Sequence, residues 1–208
     1  MVIGITGGVG CGKSTVLGIL KESFNGYIID ADKVAHRLME PFNPAYDSIR
    51  AEFGDEIIGD DGFIDRKKLG QIVFNDSKKL KRLNAIVHPM VKEAIKSEIS
   101  KVNKCGSGAD AKCPKEGRLI AVEAALLIEA GYMDICDELW YIYTDNETRI
   151  KRLIKSRGYT RKKAESIIAN QLSDREFRNN CHIVIDNGGS EADTRISIAD
   201  ALNKQSRK

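Results

Sequence analysis

The residues best suited to chemistry are Gly7-Gly8-Val9-Gly10-Cys11-Gly12-Lys13-Ser14-Thr15, which fit the pattern G-x-x-x-x-G-K-[ST]. Glycines let a backbone curl until successive N–H groups converge, and a phosphate chain can sit where they meet. Val16, Leu17, Ile19 and Leu20 follow at helical spacing, so a helix opens there and brings the partial positive charge of its N-terminus. Met1-Val2-Ile3-Gly4-Ile5-Thr6 before the loop reads as a short buried parallel strand. In that frame Gly8, Gly10, Cys11 and Gly12 cradle phosphate with their backbone, together with Ser14 and Thr15. Lys13 bridges the β- and γ-phosphates and the Ser14 hydroxyl holds Mg²⁺.

A second group is Asp30-Ala31-Asp32, at the end of the apolar run Tyr27-Ile28-Ile29. In an open parallel sheet ligands sit beyond the carboxyl ends of the strands, so these acids and the phosphate loop share an edge. Either aspartate can cap the helix that follows. If the strand persists to Asp32, its period of two sets both carboxylates on one face. One can then act on Mg²⁺ or structure while the other takes a proton from an attacking hydroxyl, and Asp32 is the better candidate for that base. A third group is the basic segment Arg149, Lys151, Arg152, Lys155, Arg157. On a mobile lid, arginines neutralise charge on a phosphoryl group in transit, and Arg152 and Arg157 are the candidates.

Four further readings supply the elements that must position these groups. Leu119–Glu123, Leu139–Tyr143 and His182–Asp186 read as strands three to five, and Glu123 and Asp186 again close a strand on an acid. Between strands two and three the pattern turns helical over Asp47–Phe53, Arg66–Phe74 and Lys78–Ile99, with a turn at Gly59-Asp60-Asp61-Gly62 and an interruption at His88-Pro89. Gly158 ends one basic helix and Thr160 caps the next, and a final amphipathic helix runs from Ser190 to about Lys204. Residues 103–117, with Cys105 and Cys113, read as an exposed loop. The expected fold is α/β: a three-layer P-loop NTPase fold, nucleotide-kinase-like, with a five-stranded parallel sheet, a helical insertion and a lid. Residues 1–32, 101–145 and 180–208 form the nucleotide core, 33–100 the helical domain and 146–179 the lid.

Bulk properties narrow the class. The 208 residues carry 33 Lys+Arg against 30 Asp+Glu, a net +3, which gives no broad basic field for nucleic acid. No apolar run is long enough to span a membrane, and the first strand starts almost at Met1, leaving no room for a transit peptide. Five cysteines without zinc-like spacing fit reduced thiols in a cytoplasmic, monomeric protein.

These pieces together resemble the dephospho-CoA kinase family over nearly the whole chain. The resemblance rests on Thr6–Thr15, Ile29-Asp30-Ala31-Asp32, Asp65–Leu69 before Val73-Phe74, Leu83–Pro89, Leu126-Leu127-Ile128-Glu129, Gln171 and Val184–Gly188. It departs at Ala125, where the family usually has proline, and in an arginine spacing one residue longer than usual from Arg152 to Arg157. The resemblance implies a kinase using ATP and Mg²⁺ on dephospho-CoA, with the helical domain holding the CoA moiety and Asp32 as general base. It adds Asp30, Asp32, His88 and Leu126 as substrate-binding positions and Asn187 as a nucleotide-binding one. Read from the residues alone, another small-molecule or nucleotide kinase stays open. A GTPase-type switch would need Asn-Lys-x-Asp, which is absent, and Asp186-Asn187-Gly188-Gly189 falls too late to serve as its Asp-x-x-Gly. A nucleotide-binding module without catalysis is the remaining alternative.

Overall fold

The computed structural model describes residues 1–105, 119–124 and 127–205. The chain divides into two compact units, one of Met1–Ile29 with Pro114–Lys208 and one of Asp30–Cys113. Residues 146–179, expected as a lid, group with the first unit.

The first unit is built on a five-stranded parallel sheet in the order β2-β3-β1-β4-β5: β1 Val2–Thr6, β2 Tyr27–Asp30, β3 Ile120–Glu123, β4 Glu138–Tyr143 and β5 Ile183–Asp186. The register pairs Ile3 with Ala121 on one side and Glu138 on the other. Alternation along β1 sends Ile3 and Ile5 into a core with Val16, Ile19 and Leu20 of α1 (Lys13–Ser23) and Ile198 and Ala201 of α9 (Glu191–Gln205). On the opposite face a Cβ at Gly4 would come 2.7 Å from Leu139 Cδ2 and 3.0 Å from Leu127 Cδ1, so glycine there lets the layers close. Between β4 and β5 lie α6 Asn146–Arg157, α7 Arg161–Ala169 and α8 Asp174–Asn180. Phe177 of α8 stacks on Tyr141 with ring centroids 4.7 Å apart.

The second unit is helical: α2 Ala31–Leu38, α3 Pro44–Phe53, α4 Arg66–Phe74 and α5 Ser77–Cys105. Its core joins Ala45, Tyr46, Ile49, Phe53, Ile57, Ile64, Leu69 and Val73. The Gly59–Gly62 turn closes a single antiparallel bridge, Ile58 to Ile64.

Three sequence readings need correction. Strand two does not persist to Asp32: β2 ends at Asp30, whose carboxylate accepts from Lys33 N at 3.0 Å and caps α2 at once. His88-Pro89 does not interrupt the helix, because α5 runs through Pro89 while packing against α2, α3 and α4. Tertiary contact there outweighs the backbone hydrogen bond that proline removes. Finally, α8 was not anticipated, although Ser173-Asp174-Arg175-Glu176 is a capping box that announces it. Of the loop expected over 103–117, residues 103–105 instead continue α5, and residues 106–117 lie outside the described residues.

Candidate active site

The phosphate loop leaves β1 at Thr6 and enters α1 at Lys13, with Gly12 as the helix N-cap at φ +83° and Gly10 at φ +78°. Both angles lie in the left-handed region that favours glycine. The loop also needs glycine for clearance. A Cβ at Gly8 would lie 2.1 Å from Arg149 Nη2, and one at Gly12 2.2 Å from Asn187 Nδ2. Lys13 Nζ donates to Gly7 O at 2.8 Å and lies 3.9 Å from Glu123 Oε1 at the end of the neighbouring β3.

Two more cations press on the loop from α6. Arg149, buried at 7% exposure, donates from Nε to Val9 O at 2.9 Å, from Nη1 to Asn146 Oδ1 at 3.3 Å and from Nη2 to Gln171 Oε1 at 2.9 Å. The same Gln171 oxygen accepts from Val9 N at 2.9 Å, so Arg149 and Gln171 together hold the loop tip by both its N–H and its carbonyl. Arg152 donates from Nη1 to Cys11 O at 3.2 Å and from Nη2 to Asn187 O at 2.8 Å. Positions 149 and 152 share a helix face, three residues apart, and the stripe of Ile150 and Leu153 fixes which face that is.

This cluster of positive charge suits an anion. The Cys11 thiol senses it: burial pushes its pKa up, and Lys13, Arg149 and Arg152 pull it back only in part. A buried, protonated thiol contributes packing, and the residue's part in the site is its backbone.

The expected site residues sort as follows. Gly8, Gly10, Cys11, Gly12, Lys13, Arg152 and Asn187 converge at the loop, while Ser14 and Thr15 are exposed in the first turn of α1. Arg157 is exposed at the end of α6 and makes no hydrogen bond or ion pair among the described residues. Asn187 is buried, and both of its amide N–H donors go to the loop carbonyls. Asp30, Asp32 and His88 belong to the helical unit. Burial would raise the Asp30 carboxyl, but the Lys33 side chain and N–H outweigh it and hold it below the ordinary aspartate value. The Lys33 ammonium is 2.9 Å from Asp30 Oδ2, whereas the Asp32 carboxylate is exposed and has no partner among the described residues. Partial burial lowers the pKa of His88. Leu126 lies outside the described residues.

Arg149, Gln171 and Glu123 are the residues to which sequence reasoning assigned no role. For Mg²⁺ the donor set fits: the Ser14 hydroxyl and the Glu123 carboxylate are hard oxygens. No cluster of three or more His, Cys, Asp or Glu able to hold a metal occurs among the described residues. Such a site suits an ion that keeps waters and phosphate oxygens in its shell. Beside the loop tip, a cavity of about 340 Å³ is lined by Tyr141, Tyr143, Asp145, Arg149, Gln171 and Asp174, among others.

The family pattern CoaE, dephospho-CoA kinase, matches residues 1–193. A dephospho-CoA kinase of Carboxydothermus hydrogenoformans is 39% identical over 203 residues, covering 98% of this chain and 93% of that protein. Among solved structures, TT1252 from Thermus thermophilus superposes with a TM-score of 0.78 at 28% identity, covering 98% of this chain and 97% of that one. A dephospho-CoA kinase from Campylobacter jejuni superposes with a TM-score of 0.68 at 25% identity, covering 99% and 97%.

Proposed function

The chain belongs to the dephospho-CoA kinase family, and from that premise we propose how its own residues carry the transfer of phosphate from ATP to the ribose 3′-hydroxyl of dephospho-CoA. The protein is a kinase of coenzyme A biosynthesis. The observation that carries the mechanism is the loop itself: its backbone carbonyls at Gly7, Val9 and Cys11 accept hydrogen bonds from Lys13, Arg149 and Arg152.

When bound, Mg-ATP would supply the phosphoryl group and a divalent charge to offset that of the phosphates. Ser14 and Glu123 would hold the ion. The N–H groups of Gly10 to Thr15 and the Lys13 ammonium take up negative charge on the phosphates. Asp32 accepts the proton of the acceptor hydroxyl. Of the two carboxylates where β2 gives way to α2, Asp30 is engaged as the helix cap and by Lys33, while Asp32, in the first turn of α2, is exposed and without a partner among the described residues. A base needs that freedom. Among the arginines, Arg149 lies against Gly8 and lines the cavity, so it is the better candidate for the phosphoryl group in transit. Arg152 acts on the loop's carbonyl side. The helical unit, with His88, holds the CoA moiety, and Leu126 of the first unit is a further substrate position implied by the family.

A cytoplasmic, monomeric enzyme acting on small molecules without nucleic acid belongs to the same reading. The near balance of charge, +3 over the chain, supports the part of it that concerns nucleic acid. Among the described residues no helix is long and apolar enough to cross a membrane.

The test is to incubate the protein with Mg-ATP and dephospho-CoA, adenosine, AMP, cytidine or shikimate and to read the products by mass spectrometry. Coenzyme A is the expected main product, and phosphate on a different acceptor overturns the substrate assignment. Asp32→Asn should lower turnover by about 10²–10⁴-fold with Mg-ADP affinity kept. Turnover within about tenfold of the parent would remove Asp32 as the base.

A further inference from the structure

The phosphate loop is gripped by its carbonyl groups. Three side chains from three different segments meet at one carbonyl: Asn187 Nδ2 lies 2.8 Å from Cys11 O, Thr144 Oγ1 3.0 Å and Arg152 Nη1 3.2 Å. Asn187 Nδ2 also reaches Gly12 O at 3.2 Å. An amide nitrogen has two N–H donors, and here both are used on the loop. In a planar trans peptide the carbonyl and the following N–H point in opposite directions. Holding Cys11 O and Gly12 O toward Asn187 therefore turns the N–H groups of Gly12 and Lys13 the other way. Those are groups that a phosphate-binding loop must aim at its anion.

The amide does this in only one of its two flips, since the reverse would set its oxygen against two carbonyl oxygens. Thr194 selects the flip. Its hydroxyl, buried with 0% exposure, lies 3.0 Å from Asn187 Oδ1 and can donate to it. The alternative acceptor is Ser190 O at 3.2 Å. The main chain of Asn187 is held as well, its N–H by Tyr143 O at 2.8 Å and its carbonyl by Arg152 Nη2 at 2.8 Å.

We infer that Asn187, oriented by the Thr194 hydroxyl, is a positioning residue that aims the Gly12 and Lys13 N–H groups at the nucleotide phosphates without touching the nucleotide. The inference rests on the loop as the ATP site. It changes the role that the sequence resemblance implied for Asn187, from direct contact to control of the backbone that makes the contact. It also explains why position 12 must be glycine beyond its φ of +83°: the Asn187 amide occupies the space a Cβ would need.

The experiment compares Thr194→Val, Thr194→Ser, Asn187→Ala and the Asn187→Ala/Thr194→Val pair in the full chain. Mg-ADP and dephospho-CoA affinities are measured by calorimetry, melting is followed, and the Gly12 and Lys13 amide resonances are assigned by ¹H–¹⁵N NMR. Thr194→Val should weaken Mg-ADP binding by about fivefold, the worth of one hydrogen bond. It should also shift both amide resonances and leave dephospho-CoA affinity in place. Thr194→Ser keeps the donor and should bind as the parent does. In the Asn187→Ala background, Thr194→Val should cost Mg-ADP affinity nothing further. If Thr194→Val melts earlier yet binds Mg-ADP like the parent with both resonances unmoved, the two residues are structural only and the inference falls. The same follows if the two substitutions add. Should Asn187→Ala not fold, the Val and Ser variants with the two resonances decide alone. A parent chain that fails to bind Mg-ADP sinks the loop assignment and this inference with it. A parent that binds while Thr194→Val binds equally sinks the inference alone.

Discussion

Two glycine-rich turns in this chain use the same residue for different reasons. The Gly59–Gly62 turn of the helical unit needs conformation: Gly62 sits at φ +78° with nothing within 4 Å of where its Cβ would be. It is closed by its own backbone, Gly62 N to Gly59 O at 2.9 Å and Gly59 N to Phe63 O at 2.8 Å, and by the Tyr46 hydroxyl donating to Gly62 O at 2.7 Å. The phosphate loop needs conformation and clearance together. Gly12 has a similar φ of +83°, but a Cβ there would run into Asn187, and one at Gly8 would run into Arg149. A positive φ alone marks a turn. A positive φ with polar and cationic side chains packed on the bare backbone marks a site built for an anion.

The comparison can be broken from its strongest side first. Gly12→Ala should lower turnover by about 10²–10³-fold, because it displaces Asn187 and strains the backbone that aims the N–H groups. A fall of less than about tenfold would mean that clearance at Gly12 is not needed. Arg149→Gln comes next, with an expected loss of about 10–100-fold from removing a charged donor beside the loop, against about twofold for Arg157→Gln at the exposed end of α6. Steady-state kinetics at saturating dephospho-CoA would measure both, and the reverse order would return the phosphate contact to Arg157. The smallest effect is at the other turn. Gly62→Ala should cost about 1–2 kcal/mol of stability by forcing a side chain into the left-handed region, with Mg-ADP affinity unchanged. Denaturant unfolding monitored with and without Mg-ADP separates the two quantities.

Much of the fold was legible because its signals are local. Arg66–Phe74 is a helix with Asp65 capping it, Gly158 closes α6 at φ +63°, and Thr160 caps α7 by accepting from Lys163 N. Each depends on residues a few positions apart. The short, fully buried strand at Val2–Thr6 and the loop after it were equally plain. What escaped was decided at a distance or by competition. Whether Asp30 or Asp32 capped α2 depended on where β2 stopped, and a strand longer by two residues would have put Asp32 at the cap. Pro89 marks a helix end by local rules, yet α5 packs against three helices and runs on.

Within the site the division is sharp. The sequence alone determined where the proposed phosphate site lies, Gly7–Thr15, since the groups suited to an anion there are consecutive backbone N–H donors and side chains of one short segment. Only the tertiary structure decided which distant polar residues steady that segment. Arg149 reaches Val9 across 140 positions of sequence and Asn187 reaches Cys11 across 176. Spacing and composition single out neither residue, and the resemblance that pointed to Asn187 did not say what it holds; the sheet order does, by bringing the ends of β1, β4 and β5 side by side.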